Sequence, residues 1–333
     1  MMSPIGQGAN AAPVTSKPPA NAGLGEAGAL HRPVMLSQVV EYLRPRSRGV
    51  YIDATLGLGG HARAILDEAS PEGKLLGIDR DRESLDRAAR GLARYAGRLE
   101  LHHGNFAQVK DIALRRRFET CDGILADLGL SSFQLETAER GFSFQKSGPL
   151  DMRMDTASQL TAAEVVNRFP EPKLAGLIYT YGEEPGSRRI ARAIVRARPL
   201  HDTLSLAEVV SRAVRSRRRA KIHPATRTFQ ALRIIVNDEL EALRQFVASS
   251  IELLKAGGRL AIISFHSLED RSVKGSLGSM ARGCVCPPEM PVCVCGRKKM
   301  VKLVCRKPVS PTEAEKIGNP RSRSARLRVA ERL

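Results

Sequence analysis

From Gly49 onward, short apolar runs alternate with amphipathic helical patterns, and this alternation restricts the fold more than any other feature of the chain. The apolar runs predict four strands, at residues 50–52, 74–78, 99–103 and 123–126. Between the runs, apolar residues recur at the spacing of one helix face. Because strands that alternate with helices are typical of βαβ units, we expect a doubly wound, mostly parallel α/β sheet.

The alternation stops after Asp127. Residues 136–237 show helix and loop patterns without a convincing strand, and the α/β pattern resumes with a helix at 238–254, closed by Gly257-Gly258, and a strand at 259–263. We therefore predict a core split into 31–135 and 238–333, with an inserted helical domain at 136–237. Apolar and polar residues alternate at 300–305 and 325–330, a pattern that predicts edge strands or a terminal hairpin. Residues 1–30, rich in Pro, Ala and Gly, are predicted to form a disordered tail.

The positive charge of the chain is concentrated in two segments. The net charge is +18; residues 187–233 carry +11, residues 296–333 carry +9, and the rest of the chain carries −2. A solvated surface is the simpler interpretation of one basic run, but two such segments favour a nucleic-acid partner. The densest run contains the candidate RNA-binding residues Arg217, Arg218, Arg219 and Lys221. Since neither a membrane-spanning run nor a secretory signal is recognisable, we predict no membrane association and a cytoplasmic location.

The ends of the predicted strands indicate a nucleoside-containing cofactor. Ligands of parallel sheets bind beyond the carboxyl ends of the strands, where this chain presents a glycine turn, Asp53, Asp79, Phe106 and Asp127. Asp79 follows Gly59 by twenty residues, a position from which a carboxylate can accept both ribose hydroxyls. A nicotinamide dehydrogenase is the competing interpretation. Asp53 favours S-adenosyl-L-methionine instead, because a carboxylate there suits an ammonium group and repels a pyrophosphate.

Several long motifs follow one another between His31 and Leu333. They are His31-Arg-Pro-Val, Asp53-Ala-Thr-Leu-Gly-Leu-Gly-Gly-His61, Gly77-Ile-Asp-Arg-Asp81, Asp127-Leu-Gly-Leu-Ser-Ser-Phe-Gln134, Arg140-Gly-Phe-Ser-Phe144, Gly148-Pro-Leu-Asp-Met-Arg-Met-Asp155 and Ser264-Phe-His-Ser-Leu-Glu-Asp-Arg271. In these motifs, and from His31 to Leu333, the sequence resembles the bacterial 16S ribosomal RNA cytosine-N4 methyltransferases. The resemblance implies a Rossmann-like class I methyltransferase core with a helical insertion for RNA. It also implies cofactor contacts from Gly59, Gly60, His61, Asp79, Phe106, Asp127 and Gln134. One departure is Ala54, where many members have glycine.

The reaction implied by this resemblance is methyl transfer to the exocyclic amine of a cytidine in the decoding region of the small subunit. Asp127 and the carbonyl of Leu128 are the candidates for holding that amine, and Asp127 could instead hold the cofactor. His266 follows the predicted fifth strand and is either catalytic or structural. Methylation at C5 would need a nucleophilic cysteine, whereas Cys121 is expected to be buried. A non-catalytic RNA-binding or ribosome-assembly factor on the same fold is the alternative function.

Four of the six cysteines form two C-x-C pairs, Cys284 with Cys286 and Cys293 with Cys295. In a reducing compartment such pairs are more often metal ligands than disulfides. The usual zinc spacing is C-x₂₋₄-C, however, so a loop of reduced cysteines without metal is the alternative. The sequence leaves both possibilities open.

Overall fold

A computed structural model describes residues 33–214, 222–284, 286–287, 290, 292 and 294–333. These residues form a seven-stranded sheet flanked by helices. The strands are β1 (Val50–Asp53), β2 (Lys74–Asp79), β3 (Leu99–His103), β4 (Cys121–Asp127), β5 (Leu254–Ser264), β6 (Val301–Leu303) and β7 (Arg326–Arg332). The predicted tail at 1–30 lies outside the described residues.

The strands run in the order β3-β2-β1-β4-β5-β7-β6. The five strands from β3 to β5 run parallel to one another, and β7 is antiparallel to both β5 and β6. The chain order reverses between β1 and β4, so the carboxyl ends of these two strands flank the crevice where parallel sheets bind ligands. The predicted doubly wound, mostly parallel sheet is confirmed.

The helices are α1 (Leu36–Leu43), α2 (Gly60–Glu68), α3 (Arg82–Gly91), α4 (Val109–Arg115), α5 (Ser132–Glu136), α6 (Ala162–Arg168), α7 (Glu171–Gly182), α8 (Ser187–Ala197), α9 (Thr203–Ala213), α10 (Thr226–Asn237), α11 (Glu239–Leu253), α12 (Ser267–Ala281) and α13 (Glu313–Gly318). Among the described residues, no helix has the length and apolar character needed to cross a membrane.

Alternate residues of each central strand enter two different hydrophobic clusters, one on each face of the sheet. On β5, Leu260 and Ile262 pack in the cluster that includes α4, α11 and α12, whereas Ala261 and Ile263 pack in the cluster with α1, α2 and α3. Successive strand side chains point to opposite faces, and burial on both faces explains why these strands are apolar throughout. The sheet is therefore rigidly held where its carboxyl ends carry polar side chains.

Helices α6 to α10 share a third hydrophobic cluster with the loop that carries Leu150, Met152 and Met154. The predicted absence of strands in this region agrees with the structure, where the described part of 136–237 contains only helices, loops and an isolated bridge between Pro149 and Asp202. The division into a core at 31–135 and 238–333 and an inserted domain at 136–237 stays a prediction.

One sequence prediction about the end of the sheet is wrong. The glycine pair does not close α11, which ends at Leu253, because β5 already begins at Leu254 and contains Gly257 with φ of 78° in an irregular stretch of its pairing with β4. The prediction of edge strands or a terminal hairpin agrees with the structure, where β6 forms the sheet edge and pairs antiparallel with β7. The alternating pattern did not show that β7 also pairs with β5, because strand pairing is non-local.

Candidate active site

The turn between β1 and α2 depends on its glycines. Gly57 and Gly59 have φ of 53° and 80°, a region that favours glycine. A Cβ atom on Gly59 would lie 2.5 Å from Leu92 Cδ1, and one on Gly60 would overlap the ring of Pro33. The backbone of this turn can therefore approach a ligand closely, and α2 begins there with N–H groups that have no partner inside the helix.

The carboxylate of Asp79 fastens this turn to β2. Its Oδ2 accepts a hydrogen bond from the backbone N–H of Gly57 at 2.7 Å, and its Oδ1 accepts one from that of Asp81 at 2.8 Å. Burial nevertheless raises the pKa of Asp79 to about 6, because the two hydrogen bonds only partly offset the loss of hydration. Each carboxylate oxygen can accept more than one hydrogen bond, so both remain available to hydroxyl donors.

Asp53 is a buried carboxyl with few hydrogen bonds to offset its loss of hydration. It ends β1, is 1% exposed, and accepts the backbone N–H of Thr55 at 3.3 Å on Oδ1, with the backbone N–H of Ala62 as a second contact. Its Oδ2 is buried without a hydrogen-bond partner in the described part of the chain. Burial is the main reason that the pKa of Asp53 rises to about 7. A carboxyl in this state fits a cationic group of a ligand.

Asp127 lies at the end of β4, close to Asp53. Its backbone N–H donates to Thr55 Oγ1 at 2.6 Å, and its Oδ1 is buried with no hydrogen-bond partner among the residues described. Burial, followed by the charges of Asp53 and Glu269, raises the pKa of Asp127 well above its usual range. The Nδ1 of His61 is 3.8 Å from Asp127 Oδ2, and the Nε2 of that ring is 3.0 Å from the carbonyl of Val34. The fold thus gathers three carboxyls of raised pKa beside one turn.

His266 caps helix α12. Its Nδ1 accepts the backbone N–H of Glu269 at 3.4 Å, while Glu269 Oε2 accepts the backbone N–H groups of Phe265 and His266 at 2.8 and 3.3 Å. These bonds form a capping box, which supports the structural interpretation of this histidine. The Nε2 atom of His266 is 3.1 Å from Glu269 Oε1. The charge of Glu269 in turn acts on Asp127, one of the three carboxyls beside the glycine turn, which we call the acidic group. A catalytic role for His266 stays a prediction.

Glu269 belongs to an ion-pair cluster that the sequence did not indicate. Arg233 donates to both carboxylate oxygens of Glu239 at 2.7 and 2.8 Å and lies 3.6 Å from Glu269. All three side chains are at most 15% exposed. The hydrogen bond with His266, followed by the positive charge of Arg233, holds the pKa of Glu269 below its usual value despite burial. Residues far apart in the chain therefore set the charge beside Asp127.

Gln134 and Phe106 occupy buried positions near the crevice. Gln134 completes the capping box of α5 with Ser131 and donates from Nε2 to Asp81 Oδ2 at 2.8 Å. Phe106 follows β3 and meets Phe246 edge to face, with ring centroids 5.2 Å apart. Both side chains are under 10% exposed. Their packing explains their positions in the fold, and their contacts with a cofactor stay a prediction.

A second feature missed by the sequence is the buried ion pair between Asp81 and Arg140. Arg140 Nη1 donates to Asp81 Oδ2 at 2.9 Å, and Nη2 donates to the carbonyls of Arg153 and Met154 at 3.0 and 2.8 Å. Both residues lie in motifs that carry the family resemblance, so the sequence marked each of them. Their spacing in the sequence does not show that Asp81 and Arg140 form an ion pair. This pair ties the loop before α6 to the end of β2.

A basic cavity of about 370 Å³ opens beside the acidic group. It is lined by Phe265, His266, Ser267, Ser310, Lys316, Arg323, Ser324, Ala325 and Arg326. Arg326 is paired with Asp270 at 2.9 Å. The predicted RNA-binding residues Arg217, Arg218, Arg219 and Lys221 lie outside the described residues.

Part of the positive charge seen in the sequence has a structural role. Arg198 donates to the carbonyls of Val166 and Phe169 at 2.7 and 2.6 Å, and Arg328 pairs with Asp270. Such residues stabilise the fold through hydrogen bonds that a charge count cannot distinguish from a free basic surface.

The cysteines divide between the core and the surface. Cys121 is buried at the start of β4, where burial raises the pKa of its thiol to about 12. It lies six residues before Asp127, a span of about 20 Å along a strand, so it is not placed to attack a base at the crevice. Cys284, Cys286 and Cys295 form a cluster between α12 and β6, and Cys293 lies outside the described residues.

Comparisons with known proteins show the family of this chain. The profile of the MraW methylase family matches residues 28–333. Ribosomal RNA small subunit methyltransferase H of Geotalea uraniireducens is 51% identical over 307 residues, covering 91% of this chain and 98% of that protein. The protein of the same name from Syntrophotalea carbinolica is 52% identical, with the same coverage.

Among solved structures, an rRNA methylase from Streptococcus thermophilus aligns with a TM-score of 0.40 at 10% identity, over 92% of this chain and 99% of that one. That likeness is too distant to support a functional inference.

Proposed function

Because the chain belongs to the MraW methylase family and is an S-adenosylmethionine-dependent methyltransferase, we propose that its substrate is the exocyclic N4 amine of a cytidine in the decoding region of 16S ribosomal RNA. The observation that carries this proposal is the meeting of Asp53, Asp79 and Asp127 beside the glycine turn. One buried and two half-buried carboxyls of raised pKa favour cationic or hydroxyl-rich ligands, and a nucleoside sulfonium with an amino-acid tail has both.

The residues around the turn fit this cofactor. S-adenosylmethionine, when bound, supplies the methyl group carried by its sulfonium sulfur. Asp79 holds the ribose hydroxyls, Asp53 faces the ammonium group, and the backbone at Gly59 and Gly60 admits the amino-acid tail. His61, Phe106 and Gln134 complete the proposed contacts.

Asp127 holds the cytosine amine in the proposed mechanism. The lone pair of this amine is delocalised into the ring, so an acceptor for its N–H increases electron density on the nitrogen. The Oδ1 atom of Asp127 is buried and lacks a hydrogen-bond partner in the described chain, while His61 lies beside Oδ2. The carbonyl of Leu128 can accept the second N–H. No strong base is needed, because methylation makes the amine more acidic.

The RNA must present this cytidine unpaired or flipped out of a helix. The basic cavity beside His266 offers Lys316 and Arg323 to the phosphates on either side of the target nucleotide. The run from Arg217 to Lys221, in the proposed inserted domain at 136–237, adds sequence-independent attraction. Activity on ribosomal RNA also fits the cytoplasmic location predicted from the sequence.

The decisive experiment maps N4-methylcytidine in ribosomal RNA from cells with and without the gene, and after complementation with wild type or Asp127→Ala. We expect one cytidine of the decoding region to lose its modification without the gene and to regain it only with wild type. Unchanged modification in cells without the gene would refute the proposed substrate.

Cofactor binding is tested separately, by calorimetry with S-adenosylhomocysteine. Asp79→Ala should weaken binding at least tenfold, since it removes the acceptor for both hydroxyls and the bond that fastens the turn. Asp86→Ala is the matched control, because Asp86 is an exposed carboxylate on α3. Equal affinities for the two variants would contradict the assigned site and would revive the alternative of a non-catalytic RNA-binding factor.

The role of Asp127 is resolved by a comparison of two constants. If Asp127 holds the amine, Asp127→Ala lowers kcat about a hundredfold or more and leaves the dissociation constant of S-adenosylhomocysteine nearly unchanged. A loss that falls mainly on that dissociation constant would assign the residue to the cofactor instead.

A further inference from the structure

In the segment that joins α12 to β6, the described residues have no hydrophobic support of their own. Between Arg282 and Met300, no residue that the structure describes is buried. Among them, the large apolar side chains of Met290, Val292 and Val294 are 41%, 69% and 72% exposed. Loops of this length without secondary structure are uncommon in compact domains unless another interaction orders them.

The two ends of the segment are held together. The backbone N–H of Met300 donates to the carbonyl of Met280 at 3.0 Å, and Arg297 donates to Ser279 Oγ at 3.0 Å. The segment therefore leaves α12 and returns to the same place as a closed surface loop. Three cysteines lie together inside this loop.

The sulfur atoms of Cys284, Cys286 and Cys295 all lie within 4.8 Å of one another. The Sγ atoms of Cys284 and Cys295 are 3.8 Å apart, although the two residues lie eleven positions apart in sequence. Zn–S bonds of about 2.3 Å in a tetrahedron place two sulfurs about 3.8 Å apart. A disulfide would instead require about 2.05 Å. The observed separation matches shared coordination of one ion.

Two further features favour bound thiolates. The backbone N–H of Cys286 donates to Cys284 Sγ at 3.3 Å, a bond that orients the sulfur and stabilises its negative charge. The loop also carries Arg282, Arg297, Lys298 and Lys299, which offset the charge of several thiolates.

We propose that Cys284, Cys286 and Cys295 bind a zinc ion that orders the loop between α12 and β6. Binding replaces three thiol protons, which are released to solvent, by three Zn–S bonds without any change of oxidation state. The site is structural, since it lies outside the acidic crevice and its ligands include none of the residues proposed for methyl transfer.

The test uses the full chain, purified under reducing conditions, reconstituted with zinc and freed of excess metal. Metal content is measured by mass spectrometry, and affinity by competition with a chromophoric chelator. Wild type should retain one zinc ion per chain, whereas Cys284→Ser and Cys295→Ser should bind at least tenfold more weakly. Cys305→Ser is the matched control, because Cys305 is half-buried beside the Tyr42 hydroxyl and outside the cluster.

Two additional measurements keep the test independent of folding. The affinity for S-adenosylhomocysteine should be equal in all variants, which shows that the core is intact. In wild type, removal of zinc should accelerate tryptic cleavage at Arg297, Lys298 and Lys299, and re-addition should reverse the effect. Substoichiometric zinc in reconstituted wild type, a disulfide between Cys284 and Cys295 under reducing conditions, or equal zinc in wild type and Cys284→Ser would each overturn the proposal.

Discussion

Replacement of Asp53 by asparagine should remove the pH dependence that this residue imposes on stability. In the protein without cofactor, burial raises the pKa of Asp53 from 3.8 to about 7. Below pH 3.8 the folded and unfolded chains both carry the proton, and the residue has no electrostatic cost. As the pH rises, the unfolded chain loses the proton first, so stability falls until the folded form also ionises near pH 7.

The size of this effect follows from the shift. At 1.36 kcal/mol per pH unit, the shift from 3.8 to about 7 corresponds to about 4 kcal/mol at pH values above 7. Asp53 is 1% exposed, so solvent screening does not reduce this figure substantially. Between pH 5 and pH 8 the part that is lost amounts to about 2–3 kcal/mol. The amide introduced by Asp53→Asn would carry no charge in either state, so the variant would escape this loss.

The assay is urea unfolding of cofactor-free wild type, Asp53→Asn and the exposed control Asp86→Asn at pH 5, 6, 7 and 8. The stability of Asp53→Asn relative to wild type should increase by about 2–3 kcal/mol from pH 5 to pH 8. The control should give a difference that does not vary with pH. A flat difference for Asp53→Asn would show that Asp53 ionises freely in the folded protein and would refute the claim that the crevice excludes water from it.

Three further predictions concern the surroundings of the crevice. Arg140→Met should cost about 3–5 kcal/mol in urea unfolding, because it leaves Asp81 buried without its cation, and the double variant with Asp81→Asn should recover part of that loss. Gly59→Ala should weaken binding of S-adenosylhomocysteine at least tenfold in calorimetry, since its Cβ would meet a leucine carbon at 2.5 Å where φ is 80°; an unchanged affinity would contradict the need for glycine. Arg323→Gln should lower the slope of log affinity for ribosomal RNA against log salt by about one while sparing S-adenosylhomocysteine binding, whereas Arg282→Gln, outside the cavity, should leave the slope nearly unchanged.

Local patterns accounted for most of the sheet. The first four predicted strands differ from β1 to β4 by at most two residues at either end, because apolar runs and turn residues are properties of neighbouring positions. The irregular start of β5 and the internal position of β7 escaped prediction, since both depend on pairing with distant strands. The glycine pair 257–258 was assigned to the wrong element for that reason.

The candidate site divides in the same way. The acids at the strand ends could be identified because a parallel sheet brings its carboxyl ends to one edge, wherever those residues lie in the chain. Glu239 and Glu269 do not follow strands, so their positions in the sequence did not place them at this edge of the sheet. They lie on α11 and α12, and tertiary packing brings both carboxylates to Arg233. His266 could be placed near the crevice from its position after a strand, but its role as the cap of α12 follows from a bond to Glu269 that only coordinates reveal.

The sequence by itself determined the α/β class, the edge of the sheet where ligands bind, and the family to which the chain belongs. Periodicity, turn chemistry and motif order are local, so they can be read residue by residue. Only the tertiary structure decided that Asp53, Asp79 and Asp127 are buried enough for raised pKa values, that Arg140 compensates Asp81, and that three cysteines meet on one loop. Burial and charge interactions are sums over neighbours that are distant in the chain, and folding alone selects those neighbours.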